Sequence, residues 1–253
     1  MNLILLFPED FVSEAVVRLT DYRATHIREI HRAPVGKNLR VGLVGGGIGE
    51  GKVVRIDGDV VDLEIKVPEG KAEAPVLSLI LALPRPQTLK KVLEGIGAAG
   101  VRELTLINTE RVQKSFFSSK LLKDDAWMHH LRLGMEQGSN TYLTEVTVKP
   151  SFKEFFENAA EALPEDAVRL MTHPTTERTL WDTPVGKPHR LGQPIICAVG
   201  PEGGWLEAEV EQFKKNGFEI VSLGNTIHRV ENAVMALLAQ IELLQMKFEG
   251  AKN

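Results

Sequence analysis

The residues best suited by type and spacing to do chemistry follow a run of five apolar ones. Ile195-Ile196-Cys197-Ala198-Val199 has no polar interruption, the pattern of a strand buried on both faces. Gly200-Pro201-Glu202-Gly203-Gly204-Trp205 comes next. Gly200 and Pro201 end the strand, and Gly203 and Gly204, which lack a Cβ, admit a ligand to the main chain. Leu206 to Asn216 then reads as a helix with Val210 and Phe213 inward and Gly217 as its stop. Strand, glycine-rich turn and helix together make the ligand crevice at the strand ends of an open α/β sheet. The unit repeats: Phe218 to Leu223 is apolar, Gly224 breaks it, and Val230 to Phe248 is a long apolar helix.

Two other spacings suggest chemistry and fail on inspection. Gly46 to Lys52 reads G-x-x-x-x-G-K, but Val53 stands where a phosphate-binding loop needs Ser or Thr. The residues after it form a strand pair instead of the helix whose N-terminus would hold phosphate. His129-His130 is the nearest approach to a metal pair, and neighbouring helical residues point to different faces. The single cysteine, Cys197, rules out internal disulfides and a cysteine-based metal site. No metal is expected.

The segments Gly200-Pro-Glu-Gly-Gly204, Ser222-Leu-Gly224, Ile227-His-Arg229 and Glu231-Asn-Ala233 resemble the signature of the RsmE-type SPOUT methyltransferases. That resemblance implies methylation of uridine N3 in small-subunit (16S) rRNA with S-adenosylmethionine. It implies an α/β fold: a C-terminal SPOUT domain, a trefoil-knotted parallel sheet over 76–253, preceded by a small PUA-like β-barrel that binds RNA over 1–70. It implies a cofactor held by three loops: Thr172, His173 and Pro174; Gly200, Pro201, Glu202, Gly203 and Gly204; and Leu223, Gly224, Ile227 and His228. Adenine would take its edge bonds from the backbone and its apolar walls from Leu223 and Ile227. In the same segment Arg229 would stabilise negative charge on the uracil oxygens or hold a phosphate. Glu231 would act as base or orient the base edge, although a carboxylate in the first turn of a helix also complements its dipole.

The chain departs from the family in places. Val230 and Asn232 replace two threonines of the third loop, Ser139-Asn140 stands where a Gly-Arg segment is usual, and Arg85-Pro86 replaces Lys-Gly. These changes leave open a SPOUT enzyme acting on tRNA or large-subunit rRNA. A non-catalytic RNA-binding ribosome-assembly factor is the alternative of another class.

Elements that must position these residues are legible in outline. Residues 1 to 70 are mostly β, with strands at Leu39 to Val44 and Lys52 to Val67 and a hairpin signal at Asp57-Gly58. Thr20 to Ala33 reads as a short helix with Ile27 and Ile30 inward. Its Arg28 and Arg32, at i and i+4, would share a face and contact RNA. Lys71 to Pro75 is a linker, after which β and α alternate. Val76 to Leu83, Arg102 to Ile107, Glu145 to Lys149 and Ala167 to Thr172 read as strands. Thr88 is expected to cap a helix carrying Leu89, Val92, Leu93 and Ile96 inward, closed by Gly97 and Gly100. Ser119 to Gly138 is expected to be helical.

Composition sets the outer limits. With 43% hydrophobic and 25% charged residues the chain is globular, and no apolar run approaches the length of a membrane span. Met1 to Phe7 lacks a basic lead and reads as a strand, so a cytoplasmic protein is expected. A net charge of −4 requires any RNA surface to be local. The last helix is apolar nearly all round, more than one buried face needs, which with the resemblance predicts a homodimer through the knot.

Overall fold

A computed structural model describes residues 2–123, 125–159, 163–187 and 192–249. They form two compact units. The first comprises the chain up to Ala74 with Gly97–Gly100 and Leu131–Leu143, and the second comprises Pro75–Ile96, Val101–His130 and the chain from Thr144 onward.

The first unit is a six-stranded sheet in the order β1 (Ile4–Leu6), β4 (Asn38–Leu43), β5 (Ile48–Asp57), β6 (Val60–Lys66), β3 (Val16–Leu19) and β2 (Phe11–Ser13). β1 and β4 are parallel and the other pairs antiparallel. Alternation puts Val41, Val53, Val61, Leu63, Val17 and Leu19 into one core with Ile4 and Leu6. The β5–β6 hairpin turns one residue later than Asp57-Gly58 predicts: Asp57 pairs with Val60, so Gly58 and Asp59 are the loop. Gly58 has φ +56°, which makes it the residue that permits so tight a turn. The G-x-x-x-x-G-K stretch is a β4–β5 connection. A Cβ on Gly47 would sit 2.8 Å from the Pro68 carbonyl oxygen, and one on Gly49 would collide with that of Lys66. Those glycines serve strand approach, not phosphate.

The short helix departs from expectation. Asp21 caps Tyr22–Thr25 by accepting from the Arg23 amide at 2.9 Å, and the chain continues as a π turn, His26–Ile30. The wider turn shifts the phase of everything after it. Ile27 is buried as predicted, but Ile30 is 69% exposed. Arg32 lies beyond the last helical residue with φ +47°, so Arg28 and Arg32 do not share a helix face. Arg28 instead donates to the Gly58 carbonyl and pairs with Asp59 at 2.8 Å.

Glu136 is 1% exposed in this unit and accepts from the Leu5 amide at 3.3 Å and the Tyr22 hydroxyl at 3.0 Å. Burial outweighs these bonds and pushes its carboxyl up to about 7. A folded-state pKa above the ordinary 4.5 means the native state binds the extra proton. Stability from this group is complete below about pH 4.5 and is lost as pH rises through about 7, on the order of 3 kcal/mol in all. Glu136→Gln should flatten that fall, read as urea midpoints between pH 5 and 8 (roughly the window of the shift). An unchanged slope would sink the assignment.

The second unit is a mixed α/β fold on an all-parallel sheet. Its order is β12 (Glu219–Val221), β10 (Val168–Thr172), β11 (Ile195–Val199), β7 (Leu77–Ala82), β8 (Glu103–Ile107) and β9 (Glu145–Lys149). Every residue of β11 is buried, as a central parallel strand requires. The chain runs outward from β7 to β9 and then returns to the other side of β7, so β7 and β11 flank a topological switch point.

Among the described residues the longer helices after these strands are α1 (Pro86–Ala99), α2 (Ala126–Gly138, whose residues from Leu131 onward belong to the first unit), α3 (Glu207–Lys215) and α4 (Val230–Glu249). α1 buries Leu89, Val92, Leu93 and Ile96 as predicted. Thr88 does not cap it, because Pro86 is already the first helical residue, where its missing N–H costs nothing. Gly97 does not end it either. A Cβ there would collide with the Leu131 carbonyl of α2, and Gly100, at φ +81°, is the stop. α2 begins at Ala126, later than Ser119. α3 matches its predicted span within a residue and buries Phe213, while Val210 is only half-buried. Along α4, Val234, Leu237, Leu238, Ile241 and Leu244 are buried, while Leu243 and Met246 are 67% and 62% exposed. Among the described residues no helix is long and apolar enough to cross a membrane.

Candidate functional site

The carboxyl ends of β7, β10, β11 and β12 open onto a cleft of about 760 Å³. Its lining brings together most of the residues singled out in the sequence. Thr172, His173 and Pro174 come from the end of β10, and Gly200, Pro201, Glu202 and Gly204 from the turn after β11. Leu223, Ile227, His228, Arg229 and Glu231 come from the connection between β12 and α4. Gly203 and Gly224 belong to the same loops but are not part of the lining. Arg28 and Arg32 belong to the first unit.

Each loop is held by local bonds. The turn after β11 closes when the Gly204 amide donates to the Pro201 carbonyl at 2.8 Å, and Gly204 has φ +73°. Trp205 folds back beneath it, buried against Phe213 with ring centroids 5.0 Å apart, and its indole N–H donates to the Thr172 carbonyl at 3.3 Å. A Cβ on Gly200 would lie 2.8 Å from that indole nitrogen, so the turn and Trp205 can coexist only with glycine there. The Ser222 hydroxyl donates to the Gly224 carbonyl at 2.8 Å and accepts from the Gly224 amide at 3.2 Å. Gly224 has φ +136°, a conformation essentially restricted to glycine. Gln240 of α4 reaches back to the Leu223 carbonyl at 3.0 Å.

Electrostatically the cleft is cationic, with Arg85, Lys91, Arg111 and Arg229 against Glu202 and Glu231. Arg85 pairs with Glu202 at 3.3 Å and Lys91 with Glu231 at 3.2 Å. The Glu231 carboxyl is held below the usual carboxylate range, chiefly by its own backbone N–H and then by Lys91, against a burial effect that opposes them. Burial lowers the His173 pKa. Its Nδ1 faces the Thr175 amide at 3.3 Å and the Thr175 hydroxyl at 2.7 Å. Because an amide can only donate, Nδ1 is the acceptor and the neutral ring carries its proton on Nε2. Ile227 is 85% exposed, a bare apolar side chain in the wall of a cleft.

Other lining residues escape sequence reasoning: Gln87, Thr88 and Lys91 from the first turns of α1, and Arg111 from the loop after β8. They approach only because β7 and the strands beside it share one sheet edge, and no local pattern in their own segments reports that. His130 bonds Glu94 at 2.8 Å. Among the described residues no group of three or more His, Cys, Asp or Glu side chains is arranged to hold a metal. Cys197 is buried, which pushes its thiol up and leaves it inert.

The family described as RNA methyltransferase domain matches residues 72–242. A Treponema pallidum protein named ribosomal RNA small subunit methyltransferase E is 27% identical over 243 residues, covering 95% of this chain and 90% of its own. A Borreliella burgdorferi protein named ribosomal RNA small subunit methyltransferase E 1 is 25% identical over 237 residues, with 93% and 95% covered. Among solved structures, a ribosomal RNA small subunit methyltransferase E from Neisseria gonorrhoeae, bound to S-adenosyl methionine, shares the fold. It has a TM-score of 0.78 at 21% identity over 96% of this chain and 98% of that one.

Proposed function

The chain belongs to the RNA methyltransferase domain family, and from that premise we propose that it methylates uridine N3 of small-subunit (16S) rRNA with S-adenosylmethionine. The observation that carries the reading is the convergence of three loops, after β10, β11 and β12, on one cleft beside a strand switch point. The relatives named for small-subunit rRNA methylation supply the substrate.

The residues fit the cofactor. Gly200 and Gly204 line the cleft beside the proposed Gly203 contact, Leu223 and Ile227 offer apolar faces for a purine, and the exposure of Ile227 is what such a ring would cover. Thr172, His173, Pro174, Pro201, Glu202, Gly224 and His228 complete the proposed binding set. When bound, S-adenosylmethionine supplies a methyl group activated by its sulfonium. The chain's own work is orientation and charge. Glu231, held acidic by its own N–H and Lys91, is a weak proton acceptor near neutrality. It is better read as orienting the base edge, with Arg229 stabilising charge on the uracil oxygens so that solvent takes the N3 proton.

On the same reading the second unit is a SPOUT domain with a trefoil knot, corresponding to 76–253. The first is a PUA-like barrel, 1–70, that contacts RNA through Arg28 and Arg32. Arg28 already commits donors to Gly58 and Asp59, which makes Arg32 the stronger contact. A homodimer through the knot has its support in the exposed Leu243 and Met246 of α4. Ribosomal RNA as substrate implies the cytoplasm.

Mass spectrometry of rRNA from a deletion strain should show one missing 3-methyluridine in the small subunit, restored by the wild-type gene. An intact 16S pattern with a methyl missing from another RNA would move the substrate. No missing methyl, with no cofactor bound in calorimetry, would favour an assembly factor.

A further inference from the structure

Arg111 lines the cleft from the loop after β8 and lies along the glycine-rich turn. Its Nη1 donates to the Gly203 carbonyl at 2.5 Å. The aliphatic part of the side chain packs so closely that a Cβ on Gly203 would stand 3.1 Å from Arg111 Cδ and 3.2 Å from its Cβ. The Gly203 carbonyl and the Gly204 N–H belong to one peptide plane, and that N–H donates to Pro201 at 2.8 Å. The plane is therefore pinned at both ends, by Arg111 on the oxygen and by Pro201 on the hydrogen. It joins two glycines, the residues that resist a flip least.

The arginine itself is held. Glu209, 6% exposed in the first turn of α3, accepts from the Glu110 amide at 2.9 Å through one oxygen and from the Leu206 amide at 2.8 Å through the other. That carboxylate joins the loop carrying Arg111 to the start of the helix that follows the turn. We propose that Arg111 is a positioning residue that fixes the Gly203–Gly204 peptide plane, with Glu209 holding Arg111 in register. The functional consequence rests on the turn being the cofactor-binding one, while the positioning itself does not.

The test uses the full chain as Arg111→Met, Arg111→Lys and Glu209→Gln. Amide exchange at Gly204 reads the peptide plane without any ligand. It should accelerate roughly 10-fold or more in Arg111→Met, the scale of one lost charge-assisted bond, and be largely restored in Arg111→Lys, whose ammonium still reaches a carbonyl. The dissociation constant for S-adenosylmethionine should rise roughly 10- to 100-fold in Arg111→Met, with the KM for RNA unchanged. Glu209→Gln, which keeps one acceptor oxygen of two, should shift both readouts the same way and less. Unchanged Gly204 exchange in Arg111→Met would overturn the proposal, and so would a rise in RNA KM alone, which would make Arg111 a substrate contact. Failure of the wild-type chain to bind the cofactor would sink the functional reading instead, with Gly204 exchange still deciding the positioning. If Arg111→Met does not fold, the lysine and Glu209 variants carry the comparison.

Discussion

Replacing Arg229 by alanine should lower turnover by roughly 10²- to 10³-fold while leaving cofactor affinity within about twofold, the usual cost of removing a charge stabiliser in the transition state. The expectation comes from where the residue stands. Arg229 is exposed at the lip of the cleft, immediately before α4, and its carbonyl accepts the first helical bond from Ala233 at 2.7 Å. Its backbone is thus set by the helix while its side chain projects from an end that favours negative charge. Lysine keeps the charge and loses the planar fork, so Arg229→Lys should recover part of the rate and no more. Single-turnover kinetics on a small-subunit RNA separate the two roles open to it. A pure rise in RNA KM with normal turnover would reassign Arg229 to a phosphate contact. Wild-type rates in Arg229→Ala would remove it from the chemistry.

The loops of this cleft could be located in the sequence because their demands are local. A strand buried on both faces, as at Ile195–Val199, needs an unbroken apolar run, and a backbone at φ +73° or +136° calls for glycine at Gly204 and Gly224. What the sequence hid is what distance supplies. Lys91 reaches Glu231 across 140 positions and Arg111 reaches Gly203 across 92, so neither segment carries a mark of its partner. The errors have local causes that a stronger rule overrode. Thr88 is a good cap residue, but Pro86 starts α1 two positions earlier. Gly97 looks like a stop, but its bareness serves the approach of Leu131. Arg28 and Arg32 have helical spacing, but a π turn ends the helix between them and sends Ile30 to solvent. Periodicity assumes one helical phase, and nothing in Thr25 to His31 announces the change.

The largest expected effect on stability lies in the first unit, at Arg23. Arg23 is 5% exposed, and its guanidinium holds Asp10 through both carboxylate oxygens, at 2.6 and 2.7 Å. It also donates to Asp21 at 2.9 Å and to the Leu5 carbonyl at 2.6 Å, above the ring of Phe7. Asp10 is itself buried and accepts from the Phe7 amide at 2.7 Å. One arginine therefore ties the first strand, the turn after it and the start of the Tyr22 helix. Arg23→Leu removes the counter-charge and leaves Asp10 buried and alone, at an expected cost of about 3–5 kcal/mol. Acid dependence gives a second readout. Arg23 holds the Asp21 carboxyl below its ordinary value although burial opposes it, so Asp21 contributes stability above about pH 3.8 that is lost as pH falls through its folded pKa. Arg23→Leu should lose that acid limb. The double variant Arg23→Leu with Asp10→Leu should regain much of the loss, because an apolar pair of similar volume needs no counter-charge. Denaturant titration followed by a probe within the first unit measures both variants. A loss below about 1 kcal/mol in Arg23→Leu, the level of an exposed ion pair, would show that this network does not hold the unit together.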